Sequence, residues 1–193
     1  MAEVMLFHHA LGLTPGCLAF AEDLRAGGHV VHTPDLFDGK IFTDIPDGVA
    51  YAEEIGFETI LDRGRVAADD LPNELVYVGF SLGVLPAQML AQTRAGAKGA
   101  VLCLSAIPTS EFGGEWPEGV PLQIHMMEAD PIAVEGGDLD AAREMADTIH
   151  GAELFLYPGN AHLFTDNSLP VYDAAATTLV ERRVLSLLDT IGS

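Results

Sequence analysis

At 193 residues with 49% hydrophobic side chains, the chain is long enough to bury one full core, and its formal charge of −20 makes it strongly acidic. Nine Lys and Arg against 29 Asp and Glu cannot build the basic patch that nucleic acid or an anionic membrane surface requires, and they disfavour strongly anionic substrates. No apolar run approaches a membrane span, and MAEVMLFHHALG has neither the basic flank nor the small-residue cleavage site of a secretory leader.

The first apolar, β-rich run is Val4–His8, followed by the turn-rich segment HHALGLTPG. A short helix is expected at Leu18–Ala26, stopped by Gly27-Gly28, and a second strand at His29–Thr33. Asp35 and Asp38 in the next loop read as turn residues, and Phe37 between them either lines a pocket or packs. One longer helix is expected at Tyr51–Asp70, closing before Leu71-Pro72, and a third strand at Leu75–Phe80. A helix at Leu85–Arg94, a strand at Ala100–Ser105, a strand at Leu122–Met127, a helix at Leu139–Ile149, a strand at Leu154–Tyr157 and a helix at Tyr172–Ile191 complete the pattern. The strand runs are continuous rather than alternating, which suits strands covered on both faces. Strand and helix alternate throughout, so residues 1–193 are expected to form a single α/β domain: a three-layer α/β/α sandwich around a mainly parallel sheet of about six strands. Cys17 follows a turn and Cys103 sits inside AVLCLS; neither spacing suggests a disulfide framework, and a reducing cytoplasm is the expected compartment.

The third strand ends in GFSLG, with Ser81 between Gly79 and Gly83 and a helix to follow. This is the setting that the G-x-S-x-G pattern requires: a tight, strained turn exposes the hydroxyl, and the glycines let strand and helix approach each other. The amide of Leu82 lies at the positive end of the following helix and could serve a developing oxyanion. A serine hydroxyl is a weak nucleophile without a base. The pattern places an acid and then a histidine after later strands, and Glu128-Ala129-Asp130-Pro131 and Pro158-Gly159-Asn160-Ala161-His162 stand there. His162 would take the serine proton and Asp130 would orient it, with Glu128 as the alternative acid. A second oxyanion amide is expected in the loop after the first strand, at Ala10 or else Leu11.

These residues together resemble the dienelactone hydrolase family, a lidless branch of the α/β-hydrolases. FHHALGL, HTPDLFDG, GFSLG, MEADP and YPGNAHLFTD carry the likeness, which spans nearly the whole chain. The resemblance implies hydrolysis of a carboxylic ester or lactone through an acyl-enzyme, without metal or organic cofactor, with Ser81, Asp130 and His162 as nucleophile, acid and base. Three departures stand out. Family members commonly carry a cysteine where this chain has Ser81, and a glutamate in the first loop where it has His9. They also carry an arginine shortly after the catalytic histidine, where this chain reads Leu163-Phe164-Thr165-Asp166. A small neutral ester, lactone or similar acyl compound therefore fits better than an anionic dienelactone.

The segment IPTSEFGGEWPEGV, residues Ile107–Val120, follows a strand without periodicity of its own, so Phe112 and Trp116 are candidate pocket walls. His9 is placed at the pocket mouth, and Leu11, Phe37 and Phe164 complete the candidate pocket set. His8, His9 and His125 lack metal-ligand spacing and read as core or loop residues. No dinucleotide or phosphate-loop motif is present. Two functions of different class remain: a serine hydrolase, with acyltransferase or thioesterase action as variants, and a non-catalytic binding module on the same scaffold. The expected partner is a small-molecule substrate, and the chain itself is a candidate homodimer.

Overall fold

In the computed structural model, which describes residues 1–192, six strands form one parallel sheet in the order β2-β1-β3-β4-β5-β6. The strands are β1 (Glu3–Phe7), β2 (Val30–His32), β3 (Leu75–Phe80), β4 (Gly99–Cys103), β5 (Leu122–Met127) and β6 (Ala152–Tyr157). The chain starts at β1, steps outward to the edge strand β2, then crosses back over β1 and proceeds strand by strand to β6. Parallel neighbours cannot be joined by hairpins, so helices fill both faces.

Alternation along β1 shows the layering. Met5 and Phe7 point into one apolar cluster with helices α2 (Ile45–Ile55), α3 (Phe57–Asp69), α4 (Val84–Thr93) and α6 (Asp138–Thr148). Val4 and Leu6 point into the other, against α1 (Pro15–Ala26) and α7 (Ala174–Ile191) through Phe20, Leu24, Val180, Val184 and Leu188. Strand β3 is buried along its whole length because it has neighbours on both edges and helices on both faces. At the sheet edge, β6 leaves Glu153 and Leu156 exposed. The three-layer parallel architecture is the one the alternating pattern calls for.

Two local features differ from the sequence reading. Residues 51–70 are not one helix: Gly56 separates α2 from α3, closing the first and opening the second. Helix α2 also starts earlier, because Asp44 caps it through the Asp47 amide at 2.9 Å and Pro46 occupies its first turn. A further one-and-a-half-turn helix, α5 (Pro131–Gly136), follows β5 and is capped by the Asp130 side chain. No helix among the described residues is long and apolar enough to cross a membrane.

Candidate active site

The pairing of Phe7 with Gly79 sets the loop after β1 beside the turn after β3, at the carboxyl rim of the sheet. Both glycines around Ser81 are required by contact. A Cβ on Gly79 would lie 2.5 Å from the carbonyl oxygen of Gly83, and one on Gly83 would lie 2.4 Å from that of Phe7. Strand, turn and helix therefore meet backbone to backbone. Between them Ser81 adopts φ +49°, a left-handed conformation costly for a side chain, of order 1–3 kcal/mol, and held by the surrounding packing.

Ser81 Oγ lies 2.7 Å from His162 Nε2, and His162 Nδ1 lies 2.6 Å from Asp130 Oδ2. A carboxylate accepts only, so Nδ1 carries the ring proton and Nε2 is bare toward the serine hydroxyl. Asp130 is 1% exposed, and its other oxygen accepts the Ile132 amide at 3.0 Å. Its position is thus fixed by the cap of α5. Glu128, by contrast, is exposed, and among the described residues the acid bonded to His162 is Asp130. Such a chain can move the hydroxyl proton to Nε2 while the buried carboxylate stabilises the imidazolium.

Two amides lie on the loops at this rim. Leu82 opens a single helical turn, Ser81–Gly83, where first-turn N–H groups have no intrahelical acceptor. In the first loop, the Leu11 amide is occupied by His9 Nδ1 at 3.2 Å, whereas Ala10, 2% exposed, has no protein acceptor for its N–H among the described residues. Ala10 and Leu82, rather than Leu11, are therefore the available donors.

A cleft of about 240 Å³ opens beside His162, walled by Leu11, Ile45, Leu163, Leu169 and Val171 with Thr43 and Asp44 at its edge. Its lining holds a carboxylate and no cation. Larger hollows, about 650 and 610 Å³, lie along the outer face of α7 and beside Trp116, but neither is lined by a residue of the Ser81–His162–Asp130 chain.

Several expected pocket residues lie elsewhere. Phe37 is fully buried, edge-on to His8, Phe42 and Tyr51, so it packs under the rim. Phe164 is fully buried against Tyr157 in the cluster beneath α7. Trp116 donates its indole N–H to Val120 O at 2.7 Å and borders the separate hollow, while Phe112 packs on the first apolar cluster. His9 is not at the mouth: it is 1% exposed, and its Nε2 lies 2.8 Å from Asp166 Oδ2. Of the expected set, Leu11 lines the cleft.

The sequence reading missed Asp166 as a hub and residues 43–45 and 169–171 as cleft walls. Asp166 accepts from His9 on Oδ2, from Thr14 Oγ1 at 2.5 Å, and from Ser168 N and Oγ at 2.8 and 2.5 Å. Burial alone would raise its pKa; these donors outweigh burial and hold it at about 2. Burial likewise works against a charge on His9, while Cys17 and Asp166 push its pKa up. Those partners favour the cation, with the pKa raised to about 9, whereas the Leu11 amide at 3.2 Å requires a bare Nδ1; the hydrogen-bond geometry is that of the neutral Nε2–H form, which satisfies both contacts. Thr14-Pro15, a cap followed by a first-turn proline, and Asp44-Ile45-Pro46 were the legible signals.

Among the described residues, His9, Cys17 and Asp166 place ligating atoms within 4.8 Å of one another. The space between them holds no void, and both Asp166 oxygens already accept hydrogen bonds. Its polar atoms are accounted for as a hydrogen-bonded hub.

A parallel sheet of this order, with a strained serine between close-packed glycines at its carboxyl rim, defines the chain as an α/β-hydrolase in fold. More narrowly, it belongs to the dienelactone hydrolase family, whose family model matches residues 2–192. Among solved structures it is similar to a dienelactone hydrolase-like promiscuous phosphotriesterase from metagenomic libraries (18% identity, TM-score 0.77, 99% of this chain and 87% of that one). It is also similar to a dienelactone hydrolase from Anabaena variabilis (15%, 0.70, 98% and 86%). A cold-adapted esterase from an Arctic intertidal metagenomic library matches as well (16%, 0.67, 97% and 82%). At these identities the likeness is one of fold. No curated protein sequence matches.

Proposed function

We propose that the protein hydrolyses a small neutral carboxylic ester or lactone through an acyl-enzyme on Ser81. The observation that carries this reading is the hydroxyl–imidazole–carboxylate chain of Ser81, His162 and Asp130 at 2.7 and 2.6 Å. Ser81 Oγ attacks the acyl carbon as His162 Nε2 takes its proton; the amides of Ala10 and Leu82 receive the oxyanion. The tetrahedral adduct collapses, the alkoxide leaves with the proton from His162, and water then enters by the same steps to release the acid and regenerate Ser81. Asp130 holds the imidazole in its Nδ1–H form throughout.

The cleft supports this substrate class. About 240 Å³ of mainly aliphatic wall suits a short acyl chain, and Asp44 with the overall charge of −20 opposes an anionic one. The two buried, unbridged cysteines agree with a cytoplasmic setting.

A fluorophosphonate separates the enzyme from a mere binding module. It should label the parent, and Ser81→Ala should abolish labelling; labelling that persists in Ser81→Ala removes that serine from the mechanism. Across p-nitrophenyl esters of rising acyl length, kcat/KM should be highest for the two- to four-carbon acyl groups. A preference for long acyl chains, or for an anionic ester over its neutral isostere, would contradict the cleft assignment.

A further inference from the structure

The Ala10 amide is held by its neighbours' side chains and not by the sheet. The carbonyl of the same peptide unit, that of His9, accepts from His8 Nδ1 at 2.8 Å and from the Gly12 amide at 3.0 Å. In a planar trans peptide the N–H points opposite to the C=O, so two donors on the carbonyl turn the Ala10 N–H away from them. The next two peptides are each held once: the first through the Leu11 N–H by His9 Nδ1, the second through the Leu11 carbonyl, which accepts from the Phe42 amide at 2.9 Å.

We infer that His8 and His9 are positioning residues for the oxyanion site: His8 aims the Ala10 amide, and His9, braced by Asp166, locks the following peptide to the loop that carries the base. The inference rests on Ala10 as an oxyanion donor, and so on the reading of Ser81 as nucleophile. His8 can do this in one tautomer only. Its Nε2 accepts the Leu36 amide at 2.9 Å, so the proton is on Nδ1, where the His9 carbonyl needs it. Its ring is fully buried and set edge-on to Phe37, which leaves it little freedom. The brace matters because Asp166 lies four residues beyond His162. One carboxylate thereby joins the base's loop to Thr14, which caps α1 through the Cys17 amide, and to His9 at the oxyanion loop. The distance between proton acceptor and oxyanion donor is set by side-chain bonds that span 157 residues of chain.

Asparagine and glutamine separate the two ring nitrogens, since an Asn amide reaches the Nδ1 position and a Gln amide the Nε2 position. His8→Asn keeps the donor to the His9 carbonyl; His8→Gln keeps only the acceptor for Leu36. With p-nitrophenyl acetate, kcat of His8→Gln should fall about 10- to 100-fold with KM within about threefold, less than the loss of a whole oxyanion donor. His8→Asn should remain at least about tenfold faster than His8→Gln, although each loses one buried hydrogen bond. The thionoacetate reads out the oxyanion site directly, because sulfur fits the amides poorly. The oxo-to-thiono rate ratio should shrink by about the same factor as kcat in His8→Gln. Equal kcat in the two His8 variants with an unchanged ratio would overturn the inference and leave His8 as packing. Asp166→Asn gives a second route if His8→Gln does not fold: kcat and the ratio should fall together, and a fall in thermal stability alone would count against the brace. Fluorophosphonate labelling at Ser81 in the same preparations distinguishes the two readings. If Ser81→Ala still turns over ester, the nucleophile assignment fails; if Ser81 is labelled and the ratios do not move, only the positioning role fails.

Discussion

Two imidazole–carboxylate pairs sit on one rim of this sheet. His162–Asp130 and His9–Asp166 are 2.6 and 2.8 Å apart, and all four side chains are nearly inaccessible. They differ in what the second ring nitrogen faces: a serine hydroxyl in one, a backbone amide in the other. A hydroxyl can give up a proton and attack, whereas an amide can only be held. The same chemical unit therefore serves proton transfer in one place and rigidity in the other, and burial alone would not tell them apart.

The largest expected effect breaks that symmetry. Asp130→Asn presents an amide to Nδ1 and favours the wrong tautomer, so kcat on a short ester should drop on the order of 10³- to 10⁴-fold. Asp166→Asn, the same change in the other pair, should cost about 10- to 100-fold, because it loosens an oxyanion donor without touching the proton path. Steady-state kinetics on the two purified variants decides the matter; equal losses would mean that the second pair also takes part in the proton transfer.

Acid should next act on the histidine beside the second pair. His8, beside His9 and 3.6 Å from Asp35, is pushed by burial down to about 4 from its ordinary 6.5. Between those values the unfolded chain takes up a proton that the folded chain refuses, so stability falls as pH drops through the window, by on the order of 3 kcal/mol. Asp166, held at about 2 from 3.8, extends the loss below pH 4. Burial pushes His125 down to about 3 as well, so urea midpoints measured from pH 7 to 4 should fall through both histidines, and His8→Gln should remove only its own share of the fall. An equally steep fall in His8→Gln and the parent would place His8 in an environment that tolerates its cation.

The nucleophile turn tests packing in place of hydrogen bonding. Gly83→Ala sets a Cβ 2.4 Å from the Phe7 carbonyl oxygen and 2.6 Å from that of His8. Both are backbone atoms of the strand end that carries the histidine pair, so neither can yield without moving the oxyanion loop. A loss of about 1–3 kcal/mol is expected, lowering Tm by roughly 2–10 °C. An unchanged Tm would show that the glycine spacing is not a steric demand.

What could be read from the sequence, and what could not, follows the same division. Strands β3 and β5 were legible to the residue because they are buried along their whole length and end at a glycine turn or an acidic loop. At the edge, β6 starts two residues earlier than its apolar run, since an edge strand can carry the exposed Glu153 without breaking its pairing. Ser81, Asp130 and His162 each lie just past a strand end, where chemistry is concentrated in short spans of chain. Asp166 could not be found that way: its partners at His9 and Thr14 are reached only because residues 158–173 cross back over the sheet. Two of the three departures from the family's pattern meet here: His9 bonds Asp166, the last residue of the segment 163–166 that lacks the family's arginine. Phe37 and Phe164 enter the pocket set as aromatics near strand ends and Trp116 through its loop after β4, and packing puts all three to other uses.

The smallest effect marks where this framework ends. Segments 8–14 and 158–173 are bound together through Asp166, whereas residues 105–120 attach through Gln88 and Gln92 of α4, which donate to the carbonyls of Ile107 and Thr109 at 2.6 and 3.0 Å. Trp116 belongs to that second set, anchored on Val120 and facing Ile149 and His150 across the hollow. Trp116→Ala should therefore lower Tm through lost packing, yet leave kcat/KM for a short ester within about twofold of the parent. A tenfold loss in a folded variant would mean that substrate extends across β4 toward Trp116, and the aliphatic cleft beside His162 would then be only part of the binding site.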